Sequence, residues 1–166
     1  FRTDDRGNSW KVISPDLTRQ VDRNKFEVMG KVWSVDAIAK NGSTDIFGQL
    51  TSIAESKLNP DMLWVGTDDG NVQLTRDGGK TWTNFSNKIP GLPQGAWIPQ
   101  IQAGRHNAGE AFVVANDYRR GDFRPYIFRT TDFGKTWTKL LDEKKVTGYA
   151  LCVLQDPVQP NLIFAG

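Results

Sequence analysis

At 166 residues the chain is long enough to enclose one core of its own. Its 21 Lys and Arg against 19 Asp and Glu leave a formal charge of +2, too balanced for a nucleic-acid surface, and no apolar run reaches the roughly 18–20 residues that span a bilayer. One cysteine excludes an internal disulfide, and with one histidine it excludes a Cys/His metal cluster, so neither metal nor other cofactor is expected. The cysteine, Cys152, lies in the run Tyr149-Ala-Leu-Cys-Val-Leu154 and is expected to be a buried small residue.

Two repeats organise the chain. The phrase Thr3-Asp-Asp-Arg-Gly-Asn-Ser-Trp10 recurs as Thr75-Arg-Asp-Gly-Gly-Lys-Thr-Trp82 and Thr130-Thr-Asp-Phe-Gly-Lys-Thr-Trp137. Leu58–Gly66 aligns with Val158–Gly166, placing Pro60 and Pro160 two units of about 50 residues apart, the size of a four-stranded propeller blade. In chain order, residues 1–14 end a blade, with strands expected around Arg2–Thr3 and Ser9–Ser14. Residues 15–47 read as an insertion holding a strand or short helix, then the turn-rich Lys40-Asn-Gly-Ser-Thr44. Residues 48–86 read as a blade with strands Gln49–Ser56, Met62–Thr67, Asn71–Arg76 and Lys80–Ser86. Residues 97–141 repeat it with Ile98–Gly104, Glu110–Asn116, Tyr126–Thr131 and Lys135–Leu141. Residues 148–166 start a further blade at Gly148–Gln155 and Asn161–Ala165.

Continuous apolar runs such as Ala111–Ala115 and Leu162–Ala165 are expected to be buried on both faces, as a blade between two blades provides. The fold class is therefore all-β, a partial β-propeller of four-stranded antiparallel blades. Two whole blades and two partial ones do not close a ring of four to eight. Remaining blades of the same propeller, or other chains, are expected to complete it, with another copy of the phrase near position 175 by the Pro60-to-Thr75 spacing.

The phrase has the chemistry of a tight turn. Asp5, Asp77 and Asp132 can accept hydrogen bonds from backbone N–H groups just downstream. Gly7, Gly79 and Gly134 supply positive φ, and Trp10, Trp82 and Trp137 open the next strand with a large ring to bury. All nine read as structural. The phrase resembles the Asp-box, or BNR repeat, Ser/Thr-x-Asp-x-Gly-x-x-Trp/Phe, of propellers in sialidases, xyloglucan-degrading glycoside hydrolases, sortilin/VPS10 proteins and photosystem-assembly factors. In those folds the box joins the third and fourth strands of a blade, away from the ligand face. Leu63-Trp-Val-Gly-Thr-Asp-Asp-Gly70, running into the second box, is most similar to bacterial sortilin-type proteins often labelled glycosyl hydrolases. The resemblance implies a secreted, periplasmic or cell-surface propeller that binds a protein, peptide or glycan, or alternatively a glycoside hydrolase.

Ligand chemistry is then expected at the end of the blades opposite the boxes. The loops there are Asp68–Gly70, Asn87–Trp97, Asp117–Pro125 and Asp142–Thr147. Asp117–Pro125 packs three Arg, two Asp and two aromatics into nine residues; Arg forks suit carboxylates or phosphates, and aromatics suit sugar or peptide stacking. The ligand-binding candidates are Asp68, Asp69, Trp97, Tyr118, Arg119, Arg120, Asp122 and Arg124. For a hydrolase, Asp68, Asp69, Asp117 and Asp122 are the available acids. Phe123-Arg-Pro125 lacks the Ile of the sialidase Phe/Tyr-Arg-Ile-Pro motif, and His106 reads as a surface turn residue. Asn41-Gly-Ser43 and Asn84-Phe-Ser86 have the sequon pattern, which matters only in a eukaryotic secretory setting.

Overall fold

A computed structural model of the chain describes residues 1–40, 42 and 47–166; the sequon at Asn41 and most of the 40–44 turn lie outside the described residues. The fold is all-β. In the insertion, β1 (Glu27–Val28) pairs with β2 (Lys31–Val32). One four-stranded sheet has the order β3 (Leu50–Glu55), β4 (Leu63–Thr67), β5 (Val72–Thr75), β6 (Thr83–Asn84). A second runs β7 (Trp97–Ala103), β8 (Ala111–Asp117), β9 (Asp122–Thr130), β10 (Thr138–Lys139), and β11 (Val153–Gln155) pairs with β12 (Ile163–Ala165). Every pairing is antiparallel between chain neighbours. Arg2 and Lys11 form an isolated bridge around the first box. Among the described residues the helical segments are three short 3-10 turns, Arg23–Lys25, Ser86–Lys88 and Tyr118–Arg120.

Several strand limits depart from expectation: both outer strands shrink to two residues, and the strand expected over Gly148–Gln155 starts only at Val153. The outer strand of the first sheet shrinks to Thr83–Asn84 because Thr81 is bound back to Asp77. β9 begins at Asp122, so Asp122, Phe123 and Arg124 belong to a strand and not to a loop. The register of β9 on β8 slips between Ala115 and Asp117, and Pro125, which has no N–H to donate, sits at that irregularity.

The sheets stack face to face. Met62, Trp64, Val72 and Leu74 of the first meet Ile98, Ile101, Val113, Ala115, Tyr126 and Phe128 of the second in one core. Phe112, Val114 and Ile127 point the other way and pack with Ala150 and Val153 of the third sheet. Both faces of β8 are therefore covered, and all seven of its residues are buried. Each fully buried large apolar side chain contributes about 1.5–3 kcal/mol. Where inner strands meet, side chains supply the hydrogen bonds. Thr51 and Ser52 hydroxyls donate to the Ile98 carbonyl at 3.0 and 3.2 Å, and Gln100 and Gln102 carbonyl oxygens accept from the Val153 and Gln155 N–H groups at 2.6 and 2.8 Å.

Leu162 and Phe164 are exposed on the second face of β12, the flank a further blade is expected to cover. One expectation at this sheet fails. Cys152 is exposed. Side chains alternate along β11, so Val153 and Gln155 turn inward while Cys152 and Leu154 turn out.

The three boxes share one hydrogen-bond pattern. The Thr hydroxyl donates to the Asp Oδ1 at 2.8, 2.8 and 2.9 Å and accepts from the Gly N–H at 2.7, 2.9 and 2.9 Å. The Asp accepts the N–H of Ser9, Thr81 or Thr136 on one oxygen and its hydroxyl on the other, the latter at 2.6 Å in all three. The residue before each Gly also has positive φ: Arg6, Gly78 and Phe133 lie at 60°, 72° and 61°. Phe133 is held there under the Arg76 guanidinium, 3.9 Å from its ring centre. The Trp of the second and third boxes then reaches back to the preceding blade. Trp82 Nε1 donates to the Ile13 carbonyl, and Trp137 is buried edge-on against Trp64, 5.9 Å between centroids. Trp10 is exposed.

The hydroxyl and N–H donors of Ser9, Thr81 and Thr136 lower the carboxyls of Asp5, Asp77 and Asp132 from 3.8 to about 2. A carboxyl lowered by folding stabilises the fold above its unfolded value and ceases to do so as pH falls through the folded one. Stability contributed by the boxes should be whole above pH 4 and lost between pH 4 and 2. Asp77→Asn should lower the urea midpoint at pH 6 and shrink the loss between pH 4 and 2; an unchanged acid profile would refute the clamp. A second test concerns packing. A β-carbon on Gly66 would collide with Ile98 and lie 2.5 Å from Ser52 Oγ. Gly66→Ala should cost about 1–3 kcal/mol by overpacking the seam between blades, read from denaturant unfolding of the intact protein.

Candidate functional site

At the end opposite the boxes, a second clamp closes the turn from β4 to β5. The Thr67 hydroxyl donates to Asp69 Oδ1 at 2.5 Å and accepts from Asn71 N–H at 2.8 Å, repeating the Thr-x-Asp geometry of the boxes. Here the other Asp69 oxygen accepts from a distant residue, the N–H of Arg19, at 2.7 Å. Neighbouring Asp68 accepts from Gly48 and Gln49 N–H at 3.1 and 2.7 Å. The Asn71 and Gln73 amides donate to the Leu17 carbonyl at 2.9 and 2.5 Å. The insertion is thus pinned across the first sheet at both of its ends.

Pinning it there creates a cleft of about 410 Å³. Arg19, Phe26 and Phe47 come from the insertion; Asp68, Trp97, Asp117, Arg119 and Arg120 come from the blades. Phe26 and Phe47 meet edge-on at 6.0 Å. The Arg119 guanidinium lies 5.1 Å from the Trp97 ring centre and 5.9 Å from that of Tyr118. Tyr118 stacks on Tyr149 at 5.5 Å, and Tyr149 meets Phe123 at 6.4 Å. A strip of rings and one guanidinium therefore runs from Trp97 to Phe123 across the rim of the second sheet. A second cavity of about 590 Å³ adjoins the cleft at Arg19, Gln94 and Gly95 and carries Thr18, Asn71 and Asn87 on its walls.

The structure brings Asp68, Trp97, Arg119 and Arg120 into this cleft and places Tyr118 on the adjoining strip. Asp69 is fully buried behind it, with both oxygens engaged, so it positions Arg19 and does not face the cleft. Asp122 and Arg124 lie in a separate hollow of about 370 Å³ beside Val146 and Thr147. There Arg124 forks onto Asp122 at 2.9 and 2.7 Å, and the Tyr126 hydroxyl adds a bond at 2.7 Å. The Arg124 donors hold the Asp122 carboxyl well below the usual carboxylate range, while burial, then Asp122, push the Tyr126 phenol up to about 12. Asp117 is likewise tied to Arg120 at 2.6 and 3.0 Å. His106 sits in an exposed turn with its Nε2 2.9 Å from the Asp156 carbonyl. Among the described residues no group of His, Cys, Asp and Glu could hold a metal ion, and no helix is long and apolar enough to cross a membrane. Sequence reasoning missed Arg19, Phe26, Phe47 and Tyr149; the one available signal was Thr67-x-Asp69, which has the spacing of Thr75-x-Asp77.

Comparison with known proteins agrees with the repeat and the fold. Residues 128–139 match the BNR/Asp-box repeat. The chain is 31% identical over 107 residues to an oligoxyloglucan-reducing end-specific xyloglucanase of Emericella nidulans, covering 63% of this chain. It is 26% identical over 109 residues to a probable enzyme of the same name from Neosartorya fischeri, covering 66% of this chain. It spans 13% of the length of either relative. The crystal structure of an ancestral GH74 enzyme superposes with a TM-score of 0.54 at 16% identity, covering 74% of this chain and 17% of that one, a likeness of fold.

If Asp69 fastens the insertion, Asp69→Ala should free residues 17–20 and speed tryptic cleavage after Arg19. Removing one hydrogen-bonded carboxylate costs about 1.5–3 kcal/mol locally. Cleavage at the wild-type rate would show that the carboxylate does not hold this segment.

Proposed function

We propose that the box-distal face of this propeller segment binds a glycan chain, and that the protein acts outside the cytoplasm, where polysaccharides are met. The observation that carries this is the Trp97 cleft: a half-buried indole, aromatic walls at Phe26 and Phe47, and polar groups of Asp68 and Arg119 at the rim. An indole face packs on the C–H face of a pyranose, while carboxylate, guanidinium and amide groups take its hydroxyls. The Tyr118–Tyr149–Phe123 stack continues the surface beyond the cleft, as an extended chain requires. The named xyloglucanases support a polysaccharide ligand, and further blades would complete the face. The sortilin/VPS10-like resemblance of Leu63–Gly70 favours a peptide instead, and the test separates the two.

The second reading is glycoside hydrolysis, favoured by the activity named for those relatives. It needs two carboxylates ~5–5.5 or ~6.5–9.5 Å apart across the bond. On the described face Asp69 is buried, Asp117 is paired with Arg120, and Asp122 is paired with Arg124 in a separate hollow, which leaves Asp68 and requires its partner from another blade.

Titrating the intact protein with xyloglucan, cello-, xylo- and pectic oligosaccharides should give binding to at least one, lost at least tenfold in Trp97→Ala. Hydrolysis would appear as reducing-sugar release abolished by Asp68→Asn. Failure of every glycan to bind, or peptide binding in their place, would reject the glycan reading.

A further inference from the structure

Three guanidinium groups converge on the Trp97 cleft from two separate segments, Arg19 from the insertion and Arg119 and Arg120 from the turn after β8. Above Gly95, Arg19 Nη1 and Arg120 Nη1 stand 3.2 and 3.6 Å from the position a β-carbon would occupy, so two like charges meet over one residue. Gly95 has φ +75° and offers no side chain to separate them.

The three are neutralised unequally. Arg120 is spent: its fork grips Asp117, and Nη2 also donates to the Gln94 carbonyl at 2.7 Å. Arg19 donates one long bond, 3.5 Å, to the Asp69 carbonyl, and Arg119 lies over the Trp97 and Tyr118 rings. Neither Arg19 nor Arg119 is ion-paired among the described residues. Two of the nearby carboxylates are engaged elsewhere, Asp69 with Thr67 and the Arg19 N–H and Asp117 with Arg120, while Asp68 gives Oδ1 to two backbone N–H groups and forms no ion pair with Arg19 or Arg119. Unused planar donors therefore face a partly enclosed cleft with aromatic walls. A guanidinium fork in such a setting matches a carboxylate in geometry and charge.

We infer that Arg19 and Arg119 form a carboxylate subsite beside Trp97, so that the glycan bound here carries a uronic acid. This rests on the glycan reading and adds the charge of the ligand to it. The neutral pyranose faces lie on Trp97 and the stack beyond it, and the uronate oxygens take the free N–H groups of the two arginines.

The test compares one uronate-bearing oligosaccharide with its methyl ester, which removes the charge and keeps the sugar backbone. By calorimetry on the intact protein, the free acid should bind roughly tenfold tighter or more, the return for one charge-assisted pair. That advantage should shrink as salt rises. Arg19→Gln should abolish the preference for acid over ester, whereas Trp97→Ala should weaken acid and ester alike and keep the ratio between them. Arg119→Gln, at an exposed position, repeats the measurement should Arg19→Gln unsettle the insertion. Equal affinity for acid and ester in the wild type would overturn the carboxylate subsite and leave the glycan reading standing. Binding of neither, with no other glycan bound, would remove the reading and the subsite together.

Discussion

A propeller blade is one sheet thick and has no interior of its own. Every apolar side chain on it must be covered by a neighbouring blade, and that requirement governs the rest of the structure. It makes β8 a continuous apolar run, because Ala111, Val113 and Ala115 face one neighbour while Phe112 and Val114 face the other. It also makes the gap between blades a wedge. Near the inner strands the sheets touch through Gly66, Ser52 and Ile98, where even a methyl group does not fit. Farther out the gap widens and is filled by Trp64, Phe85 and Trp137, packed ring against ring at 5.8 and 5.9 Å.

Apolar packing alone would let adjacent blades slide, since dispersion has little directionality. Hydrogen bonds between blades remove that freedom. Glu110 is almost wholly buried, yet it receives Arg129 on Oε1 at 2.6–2.7 Å and Gln155 of the next sheet on Oε2 at 2.8 Å. The other end of the Gln155 amide accepts from Arg105 N–H at 2.9 Å. A buried carboxylate is costly when it lacks partners; with these bonds filled, its desolvation is offset and its geometry is fixed. The cluster joins the second and third sheets at one height, as the Gln100 and Gln102 amides do along the inner strand.

The parts of this architecture readable in the sequence are those set by local chemistry. Asp77, Gly79 and Trp82 lie within one turn of each other, and their recurrence around Asp5 and Asp132 fixed the strand order and the end of the blade where boxes sit. What escaped reading is long-range. Asp69 looked like an exposed turn acid because the residue that buries it, Arg19, is 50 positions away. Phe26, Phe47 and Tyr149 gave no periodic signal, yet they wall the cleft or extend its rim. Asp117–Pro125 read as one loop between strands, but a register slip removed the need for the Pro125 N–H and the strand ran on to Asp122. Cys152 looked buried in an apolar run, where alternation turns it outward.

The same Thr-x-Asp clamp closes both ends of the first blade, and the contrast between its two uses explains why one end is inert and the other is available to a ligand. At the box, Asp77 is satisfied by Thr75 and Thr81, residues of its own turn, so the hydrogen bonding closes on itself and leaves nothing to offer. At the far end, Asp69 is satisfied on one side by Thr67 and on the other by a segment that belongs to no blade. Closing that clamp draws the insertion over the blade and carries Arg19, Phe26 and Phe47 to positions facing Trp97 and Arg119. The cleft is a consequence of an unfinished turn. A carboxylate left one donor short by its own loop recruits that donor from elsewhere, and the recruited segment brings the aromatic and cationic groups with it.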